Sequence, residues 1–278
     1  MIKRNYYSVR TGKIELDQSL NFEVLKRMFL VTYKKLVTDG YFQKYFGIDC
    51  MDGYLTGQLG DDIEEIMFLN LRKENLFPII EKLPTYTEDD FFDVIEFLHD
   101  HCSKGLHGNY HNWNNCGIHY EEFNDQDGQR YFRELLNPIL KGFQNGFEIS
   151  ENGEILILSD SGLSNLFDAD IPTNDKVNIS NKVDASILKF RRHKSTLDDR
   201  KEAIRELADV LEFLKPEIKK NLNKKDESDI FNIANNFAIR HHNLDQKTEY
   251  DKAIWYSWIF YFYLATIHTV IRMSNKKT

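Results

Sequence analysis

Apolar side chains recur at three- and four-residue intervals along most of this chain, and that spacing predicts helices. In NFEVLKRMFLVTYKKLV, Phe22, Leu25, Phe29 and Leu36 fall near one helical face. DDIEEIMFLNLRK opens on acids just after Gly60, where the positive end of a helix welcomes them. TEDDFFDVIEFLHDH sets Thr87 and Asp90 at capping-box spacing, then runs apolar through Phe91, Val94, Ile95 and Leu98. A further helix around GQRYFRELLNPILKGF closes an N-terminal helical region, residues 1–146. Between these, SKGLHGNYHNWNNCGIHY is rich in Gly, Asn and His and reads as an ordered loop.

The pattern changes at residue 147. FEISENGEILIL places Asn152-Gly153 between two short alternating runs, a strong hairpin signal. Residues 147–175 therefore read as a β-hairpin and connector, with a domain boundary near residue 175. Residues 176–278 read as a compact helical unit. In STLDDRKEAIRELADVLEFL, Ser195 or Thr196 caps a helix whose first turn carries Asp198 and Asp199. Leu197, Ile204, Leu207, Leu211 and Leu214 form its apolar stripe, and Pro216 ends or kinks it. KKDESDIFNIANNFAIRHHN starts again at an acidic cap, and a last helix runs from about Asp251 to Met273. The expected fold is mainly α: an N-terminal helical region, a short β-hairpin connector and a C-terminal helical bundle.

Composition narrows the class. Of the 278 residues, 41% are hydrophobic and 29% charged, the balance of a soluble globular protein. A net charge of −8 gives no global pull towards nucleic acid or anionic lipid, so such binding needs a local patch. Three cysteines without a CxxC spacing predict no disulfide framework and suit a reducing compartment. MIKRNYYSVRTGK lacks the apolar core of a signal peptide, so a cytoplasmic location is expected. Residues 254–271, IWYSWIFYFYLATIHTVI, carry no formal charge and approach the length of a membrane span. Ser257, Thr266, His268, Thr269 and three tyrosines favour a buried helix instead, and no membrane partner is expected. There is no Gly-rich phosphate loop, GxSxG elbow or HExxH, which disfavours the classes built on them.

Candidate chemistry gathers in NNFAIRHHNLDQ, residues 235–246. On a helix, Asn232, Asn236, Arg240 and Asn243 share one face, with His241 and His242 at its edge. A guanidinium can hold a phosphate through two parallel hydrogen bonds, and an imidazole moves protons near neutral pH. Such a set can cleave RNA without a metal: one group takes the 2′-hydroxyl proton while the arginine steadies charge on the phosphate. Equally, Arg240 can pair with a carboxylate such as Asp245 while the histidines cap a helix C-terminus.

The run from STLDDRKEAIRELADVLEFL through IANNFAIRHHNLDQKTEYDKAIWYSWIFYFYLATIH resembles the C-terminal region of bacterial abortive-infection-like proteins, which are similar to the HEPN superfamily. The resemblance covers roughly residues 180–273. It implies a helical bundle, often dimeric, and in many members a metal-independent ribonuclease of phage defence or toxin–antitoxin systems. The family signature is an arginine, often followed by Asn, Asp or His, then a histidine after four to six intervening residues. Arg240 and His241 match its first two positions, whereas the last slot falls on Asp245, Gln246 or Lys247. The resemblance thus implies an anti-phage or toxin-type effector acting on RNA as a dimer through its C-terminal helical domain. Arg240 would hold the phosphate, His241 or His242 would move the proton, and Asn236 would orient them. The alternative is a catalytically silent HEPN-like module that binds a partner protein of the defence system, or a nucleotide, as a sensor or regulator.

Three other features carry chemistry or contacts. His99, His101, Cys102, His107, His111, Cys116 and His119 crowd into 21 residues, and all are possible zinc ligands. Their spacing matches no standard zinc site, so the expectation is a loop organised by Asn and His hydrogen bonds, with no metal or cofactor. KFRRHK supplies Lys189, Arg191, Arg192 and Lys194, an RNA- or phosphate-binding strip if it lies near Arg240, otherwise solvated surface. Seven of the ten residues 254–263 are aromatic, which suits a bundle centre or a dimer interface.

Overall fold

Local chemistry starts the helices where the sequence places them. In the computed structural model, Thr87 accepts from the Asp90 amide while the Asp90 carboxylate accepts from the Thr87 amide, closing a capping box. Thr196 and Asp199 repeat the arrangement. The structure describes residues 6–11, 20–50, 53–112, 116–158, 163–167, 169–236, 239 and 251–276. The chain is mainly α and divides into two units, Met1–Ile157 and Leu158–Thr278.

In the first unit the helices are α1 (Tyr7–Arg10), α2 (Phe22–Thr38), α3 (Gln43–Phe46), α4 (Ile63–Leu71), α5 (Ile79–Lys82), α6 (Glu88–Asp100) and α7 (Asp125–Leu140). Three antiparallel hairpins are interleaved with them: β1 (Ile48–Cys50) with β2 (Gly53–Leu55), β3 (Lys104–His111) with β4 (Gly117–Asn124), and β5 (Phe147–Ile149) with β6 (Ile155–Ile157). Leu25, Phe29 and Leu36 of α2 pack with Phe91, Ile95 and Leu98 of α6 and Phe132 and Leu136 of α7. Each such side chain contributes about 1.5–3 kcal/mol on burial.

Two expectations change in this unit. The predicted hairpin at Asn152-Gly153 exists, and Gly153 takes the left-handed φ of +89° that its turn requires. However, it is no free connector. Phe147, Ile149 and Ile155 are buried in the first core, so the boundary falls after Ile157 rather than near residue 175. The Gly/Asn/His stretch is likewise a hairpin, β3–β4, rather than a loop. β3 is mostly exposed and β4 half-buried at best, with no fully buried residue in either, so no clean alternation of apolar and polar residues announces them.

The second unit holds α8 (Ser164–Phe167), a π-helical turn at Lys176–Ser180, α9 (Asn181–Arg191), α10 (Leu197–Phe213), α11 (Lys215–Asn221), α12 (Lys224–Asn236) and α13 (Lys252–Asn275). Ile204, Leu207 and Leu211 of α10 are buried as predicted, whereas Leu197 at the helix start is exposed. α10 ends just before Pro216, which sits in the first turn of α11. On α13, Tyr256, Phe260 and Tyr263 enter the core, and Phe260 stacks on Phe190 of α9 at 4.0 Å. Trp255 and Trp258 of the same helix face outwards. α13 is long and apolar enough to cross a membrane by length and composition, and half of that window is buried inside the protein.

Candidate functional site

The helix face that carries the candidate RNA chemistry is described up to its last turns. α12 ends at Asn236, and Ile239 lies in a bend rather than in a continued helix. The predicted single helical face from Asn232 through Arg240 to Asn243 therefore breaks before Arg240. Arg240, His241 and His242 lie outside the described residues, as does the side chain of Asn236.

Ile239 is fully buried in the second core, and its carbonyl, which joins it to residue 240, accepts from Arg205 Nε at 3.2 Å. Arg205 stands on α10, one turn after Lys201, and also pairs with Glu202 at 2.9 Å. Burial first, then the Arg205 guanidinium, hold the Lys201 ammonium below the ordinary lysine value. Lys252, at the start of α13, acts in the same direction, while Asp198 and Glu202 oppose it. On the other side Tyr263 of α13 donates its hydroxyl to the Ile230 carbonyl at 3.2 Å, tying α12 to the core. Lys201 and Arg205 of α10 and Lys252 of α13 thus act on one another, and of these Arg205 reaches Ile239.

The predicted basic strip is partly built into the fold. Lys189 pairs with Glu206 of α10. Arg191 is buried, its guanidinium 4.7 Å from the centre of the Phe167 ring. Arg192 and Lys194 are exposed, and both make further contacts. Of the four, Arg192 and Lys194 are the exposed ones, while Lys189 is half-buried against Glu206 and Arg191 is buried. Two further cations of this unit lie over aromatic faces: Arg200, 5.4 Å from the Phe190 ring centre, and Lys215, 4.6 Å from that of Phe231.

The His- and Cys-rich stretch separates into two groups. His99 is buried at the end of α6, with Nε2 3.0 Å from Arg133 Nη1. His101 Nδ1 lies 2.7 Å from the Phe97 carbonyl, and its ring packs on Phe97. Cys102 is buried beside the Gly128 carbonyl, and burial pushes its thiol up to about 12. His107 is exposed and faces Glu122 across the hairpin. These four serve the fold.

His111, Cys116 and His119 instead converge with Cys50, a residue the spacing left out. One ligand-type atom from each lies within 4.8 Å of every other. Cys50 Sγ is 3.3 Å from His111 Nδ1, and Cys116 Sγ is 3.0 Å from His119 Nε2. The hairpin register explains the grouping. His111 pairs with Gly117, and Gly117 and His119 point to the same face of β4, so the two imidazoles are diagonal neighbours with centres 5.0 Å apart. Cys116 precedes β4 directly, and β1 brings Cys50 in as its last residue. The Cys-x2-His pair at Cys116 and His119 is the local signal that marks this group. Nothing local marks Cys50.

No protein-family model matches this chain, and neither does any curated protein or solved structure.

Proposed function

We propose that the chain is an anti-phage or toxin-type effector whose C-terminal helical unit cleaves RNA. The observation that carries this reading is the guanidinium of Arg205 on the carbonyl of Ile239. It puts a cation of α10 at the residue that precedes Arg240. Arg240 holds the scissile phosphate. His241 or His242 takes the 2′-hydroxyl proton as that oxygen attacks the adjacent phosphorus, and the 5′-oxygen leaves and is protonated in turn. The products are a 2′,3′-cyclic phosphate and a 5′-hydroxyl end. Arg205 and Lys201 raise the potential felt by the developing charge.

The effector acts as a homodimer through the helical unit. Trp258, with Ile254 and Leu163, lines an apolar groove of about 690 Å³ on that unit, and Ile254 and Trp258 are 66% and 45% exposed. Large aromatic groups so exposed suit an interface core.

The second reading, a catalytically silent module that binds a partner protein or nucleotide, is favoured by the missing histidine slot at Asp245, Gln246 and Lys247. One experiment separates the two. Wild type, Arg240→Ala and the His241→Ala/His242→Ala double variant are expressed in a bacterial host with and without phage, and RNA ends are mapped. Cyclic-phosphate ends in wild type, lost in both folded variants, support the ribonuclease. Phage protection with intact RNA supports the silent module.

A further inference from the structure

We propose that Cys50, His111, Cys116 and His119 bind one zinc ion, which clips the β1–β2 hairpin to the β3–β4 hairpin. The inference is independent of the RNA reading, since all four residues belong to the first unit.

The geometry fits a tetrahedral ion. Zinc–sulfur bonds of about 2.3 Å and zinc–nitrogen bonds of about 2.0–2.1 Å give tetrahedral edges of roughly 3.3–3.8 Å between ligand atoms. The donor atoms here lie at 3.3 Å and 3.0 Å in the two thiol–imidazole pairs, and all within 4.8 Å of one another. The widest pair must close by about 1 Å to reach a tetrahedral edge, a movement that side-chain torsions can supply. A thiol–imidazole hydrogen bond can explain each short pair alone, but it gives no reason for the Cys50–His111 pair, which joins the two hairpins, to meet the Cys116–His119 pair.

The donor chemistry selects the metal. Two thiolates and two imidazoles, with no carboxylate in the group, are poor ligands for calcium or magnesium, which take oxygen. A tetrahedral S2N2 set is the preference of zinc. Two thiolates balance its charge, so the loaded site is neutral, and the two thiol protons are released on binding. Four protein ligands leave no open position for a substrate or a reactive water, which makes the site structural.

The hairpins also need such a clip. Every residue of β2 is exposed, and β3 buries no residue fully. A two-stranded hairpin with no apolar face is marginal in water. Here a metal supplies the tie that side-chain burial does not.

The test uses the full-length protein purified under reducing conditions without added chelator. Metal content is measured by elemental analysis, and cobalt is then substituted for zinc. We expect one zinc per chain, the visible bands of four-coordinate cobalt, and a thiolate-to-cobalt charge-transfer band. Cys50→Ser and Cys116→Ser should each weaken zinc binding by more than about 100-fold, beyond the roughly 10- to 100-fold range of groups that merely support a ligand. His107→Ala, in the same hairpin but 79% exposed at its side chain, should bind as wild type does. If a cysteine variant fails to fold, the cobalt spectrum of wild type still decides the matter. The proposal falls if the purified protein holds no metal and binds neither zinc nor cobalt saturably on titration. It falls as well if folded Cys50→Ser and Cys116→Ser both keep the metal.

Discussion

Gly108→Ala touches no ligand of the zinc site, yet it should damage that site through the backbone. Gly108 sits opposite Tyr120 in the β3–β4 register, beside the irregularity between His107 and Gly108. A β-carbon there would lie 2.2 Å from the His119 carbonyl oxygen and 2.7 Å from the Tyr120 α-carbon. Both are main-chain atoms, so no rotamer change can make room. Contacts shorter than 3.0 Å are essentially never seen for a real β-carbon, so the strands must part by at least about 0.8 Å. Overpacking of this kind costs about 1–3 kcal/mol. At about 2–4 °C per kcal/mol for a unit of this size, melting should fall by roughly 2–12 °C.

The affinity effect follows from the same displacement. Metal–ligand distances tolerate only about ±0.2 Å, and the crowded carbonyl belongs to His119 itself. Zinc affinity, measured by competition with a chromophoric chelator, should fall at least tenfold. Gly142→Ala is the matched control. Its β-carbon would meet the flexible Leu20 side chain at 3.1 Å, far from any ligand in sequence, and zinc affinity should not move. A Gly108→Ala protein that melts and binds zinc like wild type would refute the claim that hairpin register positions His119.

Three further outcomes are expected. Phe260→Ala removes a fully buried ring stacked on Phe190 and should cost about 3–5 kcal/mol in urea unfolding, while Trp258→Ala should cost under about 1 kcal/mol but weaken self-association in light scattering. Arg205→Met leaves the buried Ile239 carbonyl without its guanidinium donor, so stability should drop by about 1–3 kcal/mol and RNA cleavage by tenfold or more; unchanged cleavage with the stability loss would remove Arg205 from the active lining. For Asp90, burial alone would raise the carboxyl, but hydrogen bonds from Thr87 and Lys73 win and hold it below its ordinary 3.8. Its contribution is therefore complete above 3.8 and is lost as pH falls through the depressed value, so urea midpoints of wild type and Asp90→Asn should differ at neutral pH and converge in strong acid.

What could be read in the sequence was chemistry confined to a few neighbouring residues. The capping boxes at Thr87 and Thr196 and the turn at Asn152-Gly153 depend on groups three or four positions apart, and all three appear as expected. The domain boundary was misplaced because a hairpin signal says that two strands pair and not which core they cover. Phe147, Ile149 and Ile155 answer that question only through packing. The β3–β4 strands escaped because Leu106, Tyr110, Ile118, Tyr120 and Phe123 are scattered among Gly, His, Asn and Glu without the sustained alternation that marks a half-buried strand. Leu197 fits the helical stripe of α10 yet lies exposed, since the first turn of that helix extends past the core that buries Ile204.

The zinc site was illegible for a different reason. Its local half, Cys116 and His119, has an ordinary ligand spacing, but the set is completed from β1, 61 residues before His111. A search along the chain groups His99, His101 and Cys102 with the rest because they are near in sequence. The fold turns these three towards Arg133, Phe97 and Gly128 instead. Chain proximity and ligand geometry thus select different residues from one cluster. The distinction has a consequence for experiment. The zinc ligands are in the first unit, and the ground around Ile239 belongs to the second core. Emptying the zinc site by Cys50→Ser should therefore lower the melting temperature of the first unit before it touches RNA chemistry. Loss of cleavage at temperatures where that variant remains folded would mean that the two units are coupled in function, a link that neither site requires on its own.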